Sequence, residues 1–305
     1  MALSPSETTR LLRQLEHRPN KKLGQNFLID GNLVEKSISM ANLPPRIPVL
    51  EIGPGLGTLT ERLLHLGHPV YGVEIDRRLE AHLRQRLSSF IESGQLDLLR
   101  ADAVKSPTGN LPEAIGEYAV VANLPYAISS AWMEGVLGSG NLPIRMVMML
   151  QKEATERMLA PAGTKAYNAL AIFLQACFQP GGTHAVPGQC FHPAPAVDSL
   201  LLRMDRLPQP FVFSRSVRLL IRRIFTQRRK QLGSLIKKES TEINEILEYW
   251  LERNNLCNSI RPEKITVNQW IDFGKSFPVN PEESQLNRCD FVDKRIRLAN
   301  FVSDT

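Results

Sequence analysis

Short apolar runs and helix-spaced patterns alternate along the first two thirds of the chain. Val49 to Ile52 reads as a strand, with a helix opening near Gly57. Val70 to Ile75 reads as a second strand, followed by a helix from Arg77 to about Leu87. Leu96 to Arg100, Tyr118 to Ala122 and Ile144 to Leu150 supply three further strands. Helices are expected over Ser129 to Leu137, Gln151 to Leu159 and Asn168 to Phe178, and a late strand over Val197 to Met204. Strands that alternate with helices predict an α/β fold, a parallel sheet with helices on both faces. From Leu207, with LPQP as the joint, the pattern turns helical and basic, which predicts a small all-helical domain. The expected boundaries are a basic N-terminal arm (1–22), the α/β domain (23–205), the helical domain (206–276) and a polar, proline-punctuated tail (277–305).

Composition changes this picture in one place. The net charge of +6 over 305 residues is mild, but it is unevenly spread. No acid lies between Asp205 and Glu239, an interval that holds ten Lys or Arg. Arg218, Arg222 and Arg229 recur at helical spacing, and Arg228, Arg229 and Lys230 are consecutive. Like charges along a helix repel, so a polyanionic partner is the expected counterweight. No run of about 18 apolar residues occurs, and the N-terminus lacks the apolar core of a secretory signal. The expectation is a cytoplasmic protein. Its four cysteines show no C-x-x-C pairing, and no metal site is expected.

The candidate chemistry sits at strand ends. EIGPGLGTLT (Glu51 to Thr60) follows the first strand, and Gly53, Gly55 and Gly57 allow a sharp turn with close backbone approach to a ligand. Thr58 leaves the dinucleotide glycine pattern incomplete. Glu74 in YGVEID is placed to accept both hydroxyls of a ribose, and Asp102 in LLRADAV to accept from an adenine amine. Ligands gather at the carboxyl ends of parallel strands. A nucleoside ligand without a pyrophosphate fits this set, which points to S-adenosylmethionine.

The fourth strand end reads Asn123-Leu124-Pro125-Tyr126. The exocyclic amine of adenine is a poor nucleophile, because its lone pair is delocalised into the ring. Two acceptors that hold both N–H groups free that lone pair to point at a methyl carbon. The Asn123 side chain and the Leu124 carbonyl, stiffened by Pro125, offer the two acceptors, and Tyr126 offers a stacking face for an extruded base.

The ordered series GQNFL, EIGPGLGTLT, VEIDRRL, ADAV, NLPYAIS, MLQKEATERM, FHPAPAVDS and FTQRRKQL resembles the ribosomal RNA adenine dimethyltransferases, closest to the small-subunit (KsgA) family, over roughly residues 21–275. The resemblance implies a Rossmann-like class I methyltransferase sheet and S-adenosylmethionine as cofactor. It implies cofactor contacts from Asn26, Leu28, Gly53, Gly55, Glu74, Asp102 and Asn123, and a catalytic strand end from Asn123 through Tyr126. Phe191 is implied to sandwich the target base against Tyr126. The implied product is N6,N6-dimethyladenosine at two adjacent adenosines in the 3′-terminal hairpin of small-subunit rRNA. The implied partner is that rRNA within an assembling 30S-type subunit. A monomer with no membrane role is expected, and the acid-free interval makes Arg222, Arg228, Arg229 and Lys230 the expected contacts to rRNA phosphates. Ala127 stands where the family usually has Asn, and YNALA (Tyr167 to Ala171) departs from its YGxLS-type segment. Three other readings are a large-subunit rRNA adenine methyltransferase of the macrolide-resistance type, a non-catalytic RNA-binding assembly factor, and an NAD dehydrogenase. Intact Glu74, Asp102 and Asn123 argue against the second, and the incomplete glycine pattern against the third.

Overall fold

The computed structural model describes residues 4–20, 23–237 and 239–277. The tail expected at 277–305 lies, beyond Phe277, outside them. The chain divides into two compact units. The first comprises Met1–Val136, Asn141–Glu156 and Phe178–Pro208, and the second Leu137–Gly140, Arg157–Cys177 and the chain from Gln209 onward. The second unit therefore takes two excursions from the α/β region as well as the C-terminal helices.

The first unit is built on β2 (Val49–Ile52), β3 (Val70–Glu74), β4 (Leu96–Arg100), β5 (Ala119–Asn123), β6 (Arg145–Gln151), β7 (Phe178–Val186) and β9 (Ser199–Arg206). They form one sheet in the order β4-β3-β2-β5-β6-β9-β7. The first five of these are parallel, while β9 pairs antiparallel with both β6 and β7. Every residue of β2 is buried, as are all of β5 and β6 apart from their ends. Such strands are covered on both faces, which is why they read as continuous apolar runs and not as alternations. One face is packed by α2 (Gly31–Ala41), α3 (Thr58–His65) and α4 (Arg77–Arg86), through Leu33, Leu63 and Leu83 among others. The strand order reverses between β2 and β5, and there the carboxyl ends of the strands open a crevice.

The expected elements from β2 to β6 recur within one or two residues at each end. Three features differ. The expected N-terminal arm contains a helix, α1 (Pro5–Gln14), closed by a Ser4–Glu7 capping box. Its Leu12 is buried against Phe27, Leu56 and Leu79. The helix expected to run through Phe178 is shorter, α8 (Ala169–Gln175), and the chain then turns into β7. Seven of the nine residues of β7 are exposed, and Pro180 and Gly182 flank a register shift, so this edge strand carries no apolar alternation. A two-residue pair, β1 (Phe27–Leu28) with β8 (Phe191–His192), is a further element that the sequence pattern does not predict.

The remaining helices are α5 (Ser88–Glu92), α6 (Ser129–Ser139), α7 (Lys152–Met158), α9 (Arg215–Phe225), α10 (Leu232–Ile236), α11 (Thr241–Arg253) and α12 (Val267–Lys275). The second unit has an aromatic core. Trp250 of α11 stacks on Trp270 of α12, with ring centroids 5.7 Å apart, and Phe273 meets both edge-on. The α9 face formed by Val217, Leu220, Ile221 and Ile224 is buried. Among the described residues no helix is long and apolar enough to cross a membrane.

Candidate active site

A cleft of about 1020 Å³, its open mouth included, lies over the carboxyl ends of β2, β3 and β5. Asn26, Leu28, Gly53, Gly55, Glu74, Asp102 and Asn123 all line it, together with Leu124, Pro125 and Tyr126. Every expected cofactor residue is thus in one cavity, brought from the ends of β2, β3, β4 and β5 and from β1 with the segment before it.

The turn after β2 is held by conformation and by close packing. Gly53 has φ +69°, and a Cβ there would stand 3.0 Å from Cγ of Pro125. Gly24, at φ +66°, would set its Cβ 3.2 Å from the Tyr126 nitrogen. Glycine at both positions lets the β2 turn and the GQNFL segment close onto the NLPY strand end from two sides.

Glu74, 4% exposed, accepts from the Gly55 N–H at 3.0 Å and from the Asp76 N–H at 2.9 Å. Burial raises its pKa against those two donors. Asp76 caps α4 and accepts from Gln25 Nε2 at 3.2 Å. Gln25 Oε1 lies 2.9 Å from His17 Nε2 and accepts from the Asn20 N–H at 2.8 Å. The chain before β1 is thereby tied to the residue beside Glu74. Asp102 uses one oxygen to accept from the Val104 N–H at 2.9 Å.

Sequence reasoning missed Glu51, which also lines the cleft and is 2% exposed. Burial pushes its carboxyl up to about 8, opposed by the Thr60 hydroxyl and assisted by the charge of Glu74. A carboxylate inside a fully buried strand was the available signal. Glu74 and Asp102, beside a Glu51 that keeps its proton up to about 8, line a cleft whose described lining contains no Lys or Arg. Such a cavity disfavours a pyrophosphate and favours a ligand bearing positive charge. This observation weighs against a nicotinamide dinucleotide and fits a sulfonium cofactor.

At the β5 end, Asn123 Nδ2 donates to the Asn26 carbonyl at 2.8 Å. That bond fixes the orientation of the amide and leaves Oδ1 as its acceptor. Leu124 is fully buried and precedes Pro125, which restricts its backbone to extended conformations. Tyr126 is half-buried, and its hydroxyl is hydrogen-bonded to Ser199 Oγ. Burial raises the phenol pKa, so the ring is neutral.

Phe191 does not join this group. It is 3% exposed, paired in β8 opposite Leu28 and packed in the cluster that holds Leu33 and Leu201. Among the described residues it does not line the cleft, although Leu28, directly opposite it, does. The basic quartet is divided too. Arg229 and Lys230 are exposed, beyond the end of α9 at Phe225, so Arg229 is not on the helical face expected for it. Arg228 donates to the Tyr167 carbonyl at 2.8 Å and lies 3.9 Å from Glu263, and Arg223 pairs with Glu239. Part of the acid-free interval is therefore neutralised, by the acid that ends it and by Glu263 beyond it. Arg222 is half-buried.

A family model for ribosomal RNA adenine dimethylase matches residues 16–277. Ribosomal RNA small subunit methyltransferase A of Opitutus terrae is 45% identical over 271 residues, 88% of this chain and 97% of that protein. The protein of the same name from Macrococcus caseolyticus is 36% identical over 289 residues, 92% of this chain and 97% of its own. Among solved structures, a dimethyladenosine transferase from Plasmodium falciparum superposes with a TM-score of 0.62 at 25% identity, covering 82% of this chain and 98% of its own. The 23S rRNA methyltransferase ErmE superposes with a TM-score of 0.58 at 24% identity, covering 82% and 99%, and shares the fold.

Proposed function

This chain belongs to the ribosomal RNA adenine dimethylase family, and on that premise we propose that the NLPY strand end holds the amine of a target adenosine for methyl transfer. The protein is an S-adenosylmethionine-dependent methyltransferase that dimethylates adenine in small-subunit ribosomal RNA. Relatives named for the small subunit support this reading over a large-subunit enzyme, since the 23S enzyme shares the fold alone.

The cofactor supplies an electrophilic methyl group on a cationic sulfur. Asn26, Leu28, Gly53, Gly55, Glu74, Asp102 and Asn123 would hold it, and the carboxylates of the cleft suit its charge. Asn123 Oδ1, oriented by the Asn26 bond, accepts one N–H of the adenine amine, and the Leu124 carbonyl accepts the other. Both acceptors favour an amine whose lone pair has left the ring, so positioning and electrostatics carry the rate. No strong base is needed, because the methylated amine is acidic while protonated and loses that proton readily. Tyr126 stacks on the base. Exposed Arg229 and Lys230, with Arg222, take rRNA phosphates, while Arg228 is held by the Tyr167 carbonyl and Glu263 and serves the fold.

The substrate we put forward is the pair of adjacent adenosines in the 3′-terminal hairpin of an assembling small subunit, met by a cytoplasmic monomer. The observation that carries the reading is the Asn123 amide, which lines the cleft and is held through its nitrogen by the Asn26 carbonyl. The test is methylation of immature small subunits, large subunits and mature small subunits in parallel. Dimethyladenosine on the immature small subunit alone is the expected result. Product on large subunits overturns the substrate assignment, and no product on any subunit supports a non-catalytic assembly role.

A further inference from the structure

We propose that Ser199 is a positioning residue for the target base, acting through the phenol of Tyr126. This rests on the stacking role given to Tyr126 above. The backbone of Tyr126 is well held, since Ser129 Oγ donates to its carbonyl at 3.2 Å and Gly24 packs against its nitrogen. Neither contact fixes the plane of the ring, which turns about a broad torsion. A stacking residue needs that plane fixed, because the base lies parallel to it.

The far end of the ring supplies the constraint. The Tyr126 hydroxyl is bonded to Ser199 Oγ, across 73 residues of sequence. A phenolic O–H and the lone pair that accepts beside it both prefer the ring plane, so a fixed partner selects one ring orientation. Ser199 is such a partner. It is 2% exposed and lies on β9 between two neighbours, opposite Gln151 on β6 and Val186 on β7. The two ladders hold its backbone, so the hydroxyl can move only by rotation about χ1 in a buried site. With the phenol committed to Ser199, it does not compete for the adenine amine that Asn123 and Leu124 accept. The ring meets the base as a face only.

Single-turnover methylation of immature small subunits, with subunit affinity measured separately, tests the proposal. Ser199→Ala is expected to slow methyl transfer about threefold to tenfold, the worth of one net hydrogen bond, with subunit affinity unchanged. Tyr126→Phe removes the same bond without touching β9, and should give the same loss even if Ser199→Ala fails to fold. The double variant should be no slower than either single one, and Ser199→Thr should recover most of the rate. A bond that only supports the fold would lower the thermal midpoint and leave the rate of the folded enzyme unchanged, which overturns the proposal. Additive losses also overturn it, because the two hydroxyls would then act separately. Tyr126→Ala separates the two readings. If it is impaired while Tyr126→Phe is not, the stacking role stands and the role of Ser199 falls. If Tyr126→Ala matches wild type, the stacking role itself is wrong.

Discussion

The cleft of the first unit and the basic segment of the second treat charge in opposite ways. In the cleft, Glu51 and Glu74 are almost fully buried, and no Lys or Arg among the described lining residues answers them. Their desolvation is therefore not relieved by a cation of the cleft wall, and a cationic ligand can relieve it. In the basic segment, Arg228 is engaged by the Tyr167 carbonyl and Glu263, and Arg223 by Glu239. Arg229 and Lys230 stay exposed at the surface. Buried acids select one small molecule by geometry, whereas exposed cations attract a polyanion without specifying it. The net charge of +6 is the residue of these two opposed designs and describes neither.

The largest test of the contrast is Asn123→Ala. It removes the acceptor at the reacting amine and touches neither charge set. Methyl transfer should fall by about 10²–10³-fold, the scale for one preorganised polar group in a transition state. Subunit affinity should stay near wild type, and an unchanged single-turnover rate would remove Asn123 from the chemistry. Glu51→Gln addresses the buried acids. The folded pKa of about 8 lies above the ordinary value of 4.5, so between them the folded protein keeps a proton that the unfolded chain has lost. That contribution is full below the unfolded pKa and disappears as pH rises through 8, on the order of a few kcal/mol. Thermal unfolding of the ligand-free protein should show wild type losing stability over that window and the Gln variant losing less. Parallel pH profiles would show that Glu51 is not the group responsible.

Glu74→Ala comes next. A charged acceptor for ribose hydroxyls is worth about 1.5–3 kcal/mol of cofactor affinity, to be read by calorimetry. Glu74 also accepts from Gly55 and Asp76, so Glu74→Gln, which keeps an acceptor, should lose less. Equal affinity in the folded Ala variant would end the ribose assignment. The same carboxylate illustrates how far the sequence could be read. Glu74, Asp102 and Asn123 were legible because each sits at the end of a short apolar run, and strand ends converge in a parallel sheet. Glu51 was not singled out, because inside VLEI it looks like one polar interruption, and only burial shows its cost. Ser199 escaped notice because its partner is 73 residues away. β7 was invisible for the opposite reason, being an exposed edge strand without apolar alternation. For Phe191 the motif gives a residue type and not a ring direction.

The smallest expected effect is on the basic segment, and it depends on separating cations by what they already touch. Arg229 and Lys230 are exposed, so replacing both by Gln removes about two phosphate contacts and leaves the aromatic core of the second unit intact. Each contact releases condensed counterions, so the slope of log affinity against log salt should flatten by about two. At fixed salt the loss of subunit affinity should be about 1 kcal/mol or somewhat more, and cofactor affinity should not move. Arg228→Gln should behave differently. It takes a donor from the Tyr167 carbonyl and a partner from Glu263, so its main readout should be a lower thermal midpoint, on the order of 1 kcal/mol of stability. Titrations of each variant at several salt concentrations, paired with thermal unfolding, decide the matter. If Arg228→Gln flattens the salt slope as much as the exposed pair, its folded-state contacts are released on RNA, and the division between structural and RNA-facing cations is wrong. If the exposed pair changes neither slope nor affinity, this segment is a solvated surface and the polyanion is held elsewhere.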